Sequence, residues 1–300
     1  MPRSAVRPRH VALLVLGVLA VSTSAPLIRL ADAPPLAVAF YRNAFAAAAL
    51  LPFAFLRHRD ELAGLGARRW GALGLAGAFL AVHFAAWIPS VSLTTVAAST
   101  VLVTSQAVWA AVGARVILGE RVRRAAVAGI VVALVGAVLI SGADFVLSPR
   151  AFAGDMLALL GAVTAAGYLL TGRRLRQRLS LAAYAGVVYG VCAVLLLAAA
   201  LVAGTPLSGF EPTVWLLFVL MAAGPQILGH TVFNYLLRDL DATVVAVAIM
   251  GEPVGASLLA LALFGEVPPW SAVIGGVVVL VGIYMAVTAQ ARRPADAPVE

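Results

Sequence analysis

Hydrophobic positions along this chain come in long unbroken runs, not in the strict alternation of a half-buried strand or the one-sided stripe of a surface helix. Ten such runs are legible, at about 11–31, 36–56, 70–90, 94–117, 123–141, 153–172, 181–203, 213–236, 242–264 and 268–289. Each approaches the roughly 20 residues that a helix needs to cross a bilayer. The connectors are short, so ten spans use nearly the whole sequence and leave no room for a separate soluble domain. In hydrocarbon every backbone N–H and C=O must be satisfied within its own segment, which selects helices for such runs. The pattern predicts an all-α polytopic membrane protein. The first run follows Arg3, Arg7 and Arg9, the flank of a signal peptide. Its apolar part outlasts a signal core, and Pro26 directly follows the one plausible cleavage motif, Ser22-Thr23-Ser24-Ala25, so a retained helix is expected.

Composition agrees: of the 300 residues 63% are hydrophobic and 11% charged, against about 25% charged in a soluble domain. A net charge of +8 raises the question of nucleic acid, and its placement answers it. All 21 basic residues are arginine. With the N-terminus inside, 17 of them (Arg3, Arg7, Arg9, Arg57, Arg59, Arg68, Arg69, Arg121, Arg123, Arg124, Arg173, Arg174, Arg176, Arg178, Arg238, Arg292 and Arg293) fall in cytoplasmic segments. Two, Arg29 and Arg150, fall outside, while Arg42 and Arg115 lie within spans. That asymmetry is the positive-inside signal. It places both termini in the cytoplasm, makes lipid the partner, and gives no reason to expect nucleic acid. A multi-pass protein of the cell (plasma or inner) membrane follows. Arginine in place of lysine and abundant alanine point to a GC-rich bacterial genome, a codon argument and not a physical one. The single Cys192 precludes an internal disulfide.

The two halves resemble each other at a fixed offset. Leu118-Gly119-Glu120 corresponds to Phe264-Gly265-Glu266, and 266 − 120 = 146. The same offset carries Gly129 to Gly275, Gly136 to Gly282 and Trp87 to Phe233. A constant register of this kind marks an internal repeat. Five spans per copy is an odd number, so the second copy enters the membrane from the opposite side. The expected organisation is a first repeat over 1–144, a second over 145–290, and a disordered cytoplasmic tail over 291–300. Inverted repeats are the architecture of many secondary transporters, with the site near the midplane between the halves. Duplication also occurs in membrane proteins that transport nothing.

Phe40-Tyr41-Arg42-Asn43 opens the second span, Gly154-Asp155 opens the second half, and Glu252-Pro253 interrupts the ninth. With the two Gly-Glu helix ends, these residues resemble the EamA-type members of the drug/metabolite transporter superfamily, from about residue 11 to 287. The resemblance implies ten helices in two repeats and a transporter of small metabolites, working outward. One departure stands out. The first repeat of such proteins often has a proline in its fourth span, and Ala107 stands there, the counterpart of Pro253 (253 − 146 = 107). A break in that helix is therefore not expected from the sequence.

Ionisable groups within spans are functional candidates by default, because a charge at mid-bilayer is costly. Glu252 lies ten residues from Ala242 and twelve from Phe264, between Gly251 and Pro253, where a kink is expected. It reads as a carboxylate that binds a cationic substrate group or carries a coupling proton, or else as a protonated group bonding a neighbouring helix. Gln226, His230 and Asn234 follow at four-residue steps on the eighth span, and His83 and Trp87 make a similar pair on the third. They fit a pocket for a small organic molecule, or interhelical bonding and aromatic packing. Arg42 lies roughly 9 Å below the outer end of its span at about 1.5 Å per residue. It either faces a substrate carboxylate or Glu252, or snorkels to the surface. Gln106 is the counterpart of Glu252 and shares a face with Ser99. Ser22 and Thr23 beside Pro26 make the first span polar and prone to kink. Glu120 and Glu266 read as structural, ahead of the next helix N-terminus. The Arg173, Arg174, Arg176, Arg178 cluster reads as a topology determinant, with anionic lipid headgroups as a further partner.

No H-E-x-x-H, G-x-S-x-G or P-loop occurs, and no filter-like loop, so a membrane-embedded enzyme, an ATP-driven pump and a channel are disfavoured. No metal and no cofactor are expected, since no carboxylate or cysteine sits at ligand spacing beside His83 or His230. The expected function is secondary transport of a small organic metabolite, amino-acid-like or drug-like, by alternating access, with a proton as the natural coupling ion. The alternatives are a membrane-embedded enzyme or a non-transporting scaffold. Oligomeric state is not legible.

Overall fold

A computed structural model describes residues 6–94, 96–120, 122–141, 148–265, 267 and 270–291. Glu266, Arg3, Arg121, Arg292, Arg293 and the expected tail after 291 lie outside the described residues. Among the described residues the protein is helical and has no strand. The helices are α1 (Pro8–Ser22), α2 (Ser24–Ala31), α3 (Pro35–Arg57), α4 (Arg59–Ala63), α5 (Ala67–Leu93), α6 (Val96–Thr104), α7 (Gln106–Val116) and α8 (Arg124–Ser141). The second half contributes α9 (Pro149–Leu175), α10 (Leu181–Val202), α11 (Pro212–Met221), a π-helix (Ala222–Thr231), α12 (Val232–Leu236), α13 (Ala242–Ile249), α14 (Glu252–Phe264) and α15 (Trp270–Ala291). Among the described residues seven helical stretches are long and apolar enough to cross a membrane: Pro8–Ala31, Pro35–Arg57, Ala67–Leu93, Pro149–Leu175, Leu181–Val202, Pro212–Leu236 and Ala242–Phe264. The expected spans at 94–117, 123–141 and 268–289 are occupied by α6 with α7, by α8 and by α15.

Several stretches are interrupted midway. The first breaks at Thr23, between α1 and α2, and the ninth at Met250–Gly251, between α13 and α14. The fourth breaks at Ser105, although no proline is present there. This corrects the expectation drawn from Ala107. The break is made by side chains instead: the Thr104 hydroxyl donates to the Val101 carbonyl at 2.9 Å and that of Ser105 to Leu102 at 2.6 Å. Hydroxyls that bond back into the preceding turn bend helices. The eighth stretch carries the ten-residue π-helix around Pro225, whose missing N–H removes one ladder bond.

The Gly-Glu helix ends have a conformational reason. Gly119 follows α7 with φ of 65°, and Gly265 closes α14 with φ of 67°. This left-handed geometry is the usual glycine stop of a helix. After Gly119 the Glu120 N–H reaches back to the Ala114 carbonyl at 2.8 Å.

Helices meet closely where small residues allow it. On α8 and α15 a Cβ at Gly129 would lie 2.7 Å from the Gly282 carbonyl oxygen, and one at Gly136 would lie 2.7 Å from that of Gly275. The order runs in opposite senses along the two helices, so they cross antiparallel. Elsewhere Trp87 on α5 covers Gly161 of α9, and Phe233 on α12 covers Gly17 of α1. The outer surface is studded with exposed Val, Leu and Ile, including Val131, Val135, Ile274, Val277 and Val281. An apolar surface of this extent is what lipid would cover.

These contacts give a contrast that is easy to measure. A Cβ at Gly282 would meet the Ala133 nitrogen at 2.4 Å and the Gly129 carbonyl oxygen at 2.6 Å, both backbone and unable to swing aside. Gly282→Ala is expected to cost about 1–3 kcal/mol, as overpacking does. It should lower the unfolding temperature of detergent-purified protein. Gly74, with nothing within 4 Å, is the control. Gly74→Ala should be neutral or stabilising, because alanine is the better helix former.

Candidate functional site

The four interruptions converge on one cavity of about 30 Å³. Val21 and Ser24 flank the α1–α2 break, Val103 and Gln106 the α6–α7 break, and Ile249 and Glu252 the α13–α14 break. His230 and Phe233 come from the end of the π-helix and the start of α12. Arg42 of α3, His83 and Trp87 of α5, and Ala165, Tyr168 and Leu169 of α9 complete the walls. A break frees backbone groups that neighbouring side chains must satisfy. The Ser22 hydroxyl, from α1, lies 3.3 Å from the Glu252 carbonyl oxygen at the start of α14.

Arg42 decides its own alternative. It is 1% exposed and does not snorkel. Its Nε donates to the Gln226 Oε1 at 2.9 Å and one Nη to the Ser24 hydroxyl at 2.9 Å, and the guanidinium lies 4.3 Å from the centre of the Phe84 ring. A buried guanidinium is tolerable when it is hydrogen-bonded and has a counter-charge. The counter-charge in this cavity is Glu252, 8% exposed, which faces it without touching it. Among the described residues no ion pair and no side-chain hydrogen bond reaches the Glu252 carboxylate. The cavity therefore holds a guanidinium and a carboxyl group that make no ion pair with each other.

The rest of the wall is aromatic. His83 stacks on Trp87 with ring centres 5.8 Å apart, and His230 packs edge-on against His83, Phe84 and Tyr168 at 6.4, 5.6 and 6.2 Å. His83 Nδ1 lies 2.9 Å from the Gly161 carbonyl, an acceptor only, so Nδ1 is the donor and Nε2 is left as an acceptor. The indole N–H of Trp87 is buried and, among the described residues, has no hydrogen-bond partner. A buried donor of that kind costs free energy until something accepts from it. Among the described residues no group of three or more metal-ligating side chains occurs.

The family profile described as EamA-like transporter family matches this chain twice, over residues 9–142 and 152–288. The chain belongs to the EamA-like transporter family. A protein of Archaeoglobus fulgidus described as an uncharacterized transporter is 25% identical over 270 residues, covering 88% of this chain and 91% of that one. A solved crystal structure superposes with a TM-score of 0.79 at 20% identity, over 95% of this chain and 98% of the other, and shares its fold. The protein is thus a multi-pass membrane protein of a transporter family.

Of the residues singled out from the sequence of this EamA-type chain, Glu252, His230, Trp87, His83, Arg42 and Gln106 face the one cavity. Gln226 and Asn234 stand behind it. Gln226 holds Arg42, and the Asn234 amide donates to the Tyr168 and Tyr189 hydroxyls. The stripe expected at four-residue steps is split because the π-helix, with bonds from i to i+5, changes the angular step from Gln226 to His230. Ser99 is buried against the Ser90 hydroxyl at 2.6 Å, away from the cavity. Pro26, Gly251 and Pro253 all adjoin breaks and are buried. Sequence reasoning missed Tyr168, Phe84 and the hydroxyl of Ser24 as parts of the site. Phe84 and Tyr168 sit in apolar runs where an aromatic is unremarked. Ser24 was legible as a polar residue in the first span, but its partner is not.

Proposed function

We propose that this protein is a secondary transporter of a small amphoteric organic metabolite, amino-acid-like or drug-like, working by alternating access around the cavity between Arg42 and Glu252. The observation that carries the reading is a buried guanidinium and a buried carboxyl group, not in contact, enclosed by aromatic rings. Arg42 would receive a carboxylate, for which a guanidinium is geometrically suited. Glu252 would receive an ammonium group or carry a coupling proton, and the rings would cover the apolar body. At about 30 Å³ the cavity holds on the order of two waters, so substrate enters only when the helices part. Outward movement is part of the proposal and rests on the family resemblance.

The same reading takes the chain as ten helices in two inverted repeats, 1–144 and 145–290. Three pairs of wall positions are counterparts at the offset of 146: Trp87 with Phe233, Val103 with Ile249, and Gln106 with Glu252. The glycine contacts between α8 and α15, Gly129 with Gly282 and Gly136 with Gly275, exchange with one another under the same offset, as a two-fold relation requires. The two matches of one family profile agree with this division. An N-terminus inside the cell, in the plasma or inner membrane, follows from the arginine distribution.

Reconstituted vesicles, offered amino acids and related zwitterions with and without a pH gradient, supply the test. Gradient-dependent movement of a zwitterion is the expected result. No movement of any of them under any gradient overturns the proposal.

A further inference from the structure

One end of the molecule is fastened by a buried cluster of charged side chains. At one end Arg173, on the last turn of α9, is 7% exposed and bonds to two other segments. Its Nε donates to Glu120 at 3.1 Å, at the end of α7, and its other nitrogens reach Asp241 at 3.5 Å and the Leu237 and Arg238 carbonyls at 2.7 and 3.0 Å. Gln177 donates to the same two carbonyls, and the buried Arg176 to the Asn234 carbonyl at 3.0 Å. Glu120 lies before the 144/145 boundary and the others after it, so this knot joins the two halves. It is also the end where Arg9 and His10 of α1 meet Asp239.

The two helices that lead to opposite ends differ in burial. α7, which leads to Glu120, buries six of its eleven residues, including Gln106, Ala110 and Ala114. Its counterpart α14, running to the opposite end, buries only Glu252, Pro253 and Ala256 of thirteen. α13, which starts beside the Arg173 knot, is buried along its whole length.

We propose that Arg173, with Glu120 and Asp241, is the bolt of a charged gate that closes this arginine-rich end of the cavity. Opening that end requires the α7 terminus and the 237–241 turn to leave Arg173. A buried ion pair that loses one partner leaves an uncompensated charge, so each partner resists opening singly and the set does so together. The bolt gives Glu120 a second role beyond ending a helix, and it makes Arg173 more than a topology determinant. The proposal rests on the transporter reading for its purpose, but its geometry can be tested without a substrate.

Ala165 lines the cavity, so Ala165→Cys reports which end admits a reagent. The full-length variant in sealed vesicles of each orientation is exposed to a membrane-impermeant maleimide, with the parent chain and its buried Cys192 as the baseline. Labelling from the Arg173 end is expected to be slow. Adding Arg173→Ala should speed it at least about tenfold, because the buried partners left behind lose their compensating charge. Adding Glu120→Gln, which keeps the helix end and a hydrogen-bond acceptor, should speed it less. Unchanged labelling from that end in both variants overturns the gate. If Arg173→Ala does not fold, Glu120→Gln decides alone. Faster labelling in a protein that moves no solute would sink the transporter reading and leave the gate standing. Unchanged labelling in a protein that transports would do the reverse.

Discussion

Glu252→Gln is expected to fold normally and to lose either transport or its dependence on pH. The substitution is nearly isosteric, so the α13–α14 break, the contact of the Glu252 carbonyl with Ser22 and the packing of Pro253 all remain. What disappears is the one carboxyl group on the cavity wall among its lining residues. An amide neither gains nor loses a proton in the working range, so a coupling step carried by this side chain cannot occur. If Glu252 instead binds an ammonium group, the amide forfeits a charge-assisted hydrogen bond of about 1.5–3 kcal/mol, roughly ten- to a hundredfold in affinity. The two roles separate in proteoliposomes. Loss of the pH response at preserved substrate affinity identifies the proton carrier, and a raised KM with the pH response intact identifies the binding group. Transport unchanged at every pH would remove Glu252 from the mechanism.

Arg42→Lys is the second substitution with a large expected effect, and the more telling because it keeps the charge. The guanidinium is held by a fork, with one nitrogen to Gln226 and another to Ser24, and its plane lies over Phe84. A lysine ammonium is a point donor on a longer flexible stem and cannot serve both partners while offering a flat edge to a carboxylate. Substrate affinity should fall at least about tenfold, and one buried partner, Gln226 or Ser24, is left unsatisfied. Arg42→Ala removes the charge as well, strands Glu252 without its facing cation and is expected to abolish binding. Isothermal binding or counterflow with a zwitterion measures both. Equal affinity for Arg42→Lys and the parent would show that the fork is structural only.

The same residues show how much was legible beforehand. Glu252 could be found because a charge beside glycine and proline is conspicuous in an apolar run, and Gln106 followed from it through the repeat offset. The break at Ser105 could not. Serine and threonine occur in ordinary helices, and whether their hydroxyls bond back to Leu102 and Val101 depends on the surrounding packing. The π-helix was equally hidden. It changes one bond per residue from i+4 to i+5 without changing the hydrophobic pattern, and so it separated His230 from Gln226 and Asn234, three residues that look alike on a regular helix.

The sequence by itself determined the membrane class and its apolar helical runs, because hydrocarbon imposes a local demand. Each segment must be apolar for its full length and satisfy its own backbone, and both conditions can be read one segment at a time. It also determined which residues were expensive enough to need a reason, since an unpaired charge in lipid is costly in any fold. Only the tertiary structure decided where those residues point. Arg42 had two directions open to it, outward to the surface or inward to Ser24 and Gln226, which stand 18 and 184 residues away. Arg173 likewise became more than a positive end when Glu120 and Asp241 closed on it from elements 53 residues before and 68 after (173 − 120 and 241 − 173). Hydrogen bonds and ion pairs act over a few ångströms of space, and separation along the chain carries no record of them.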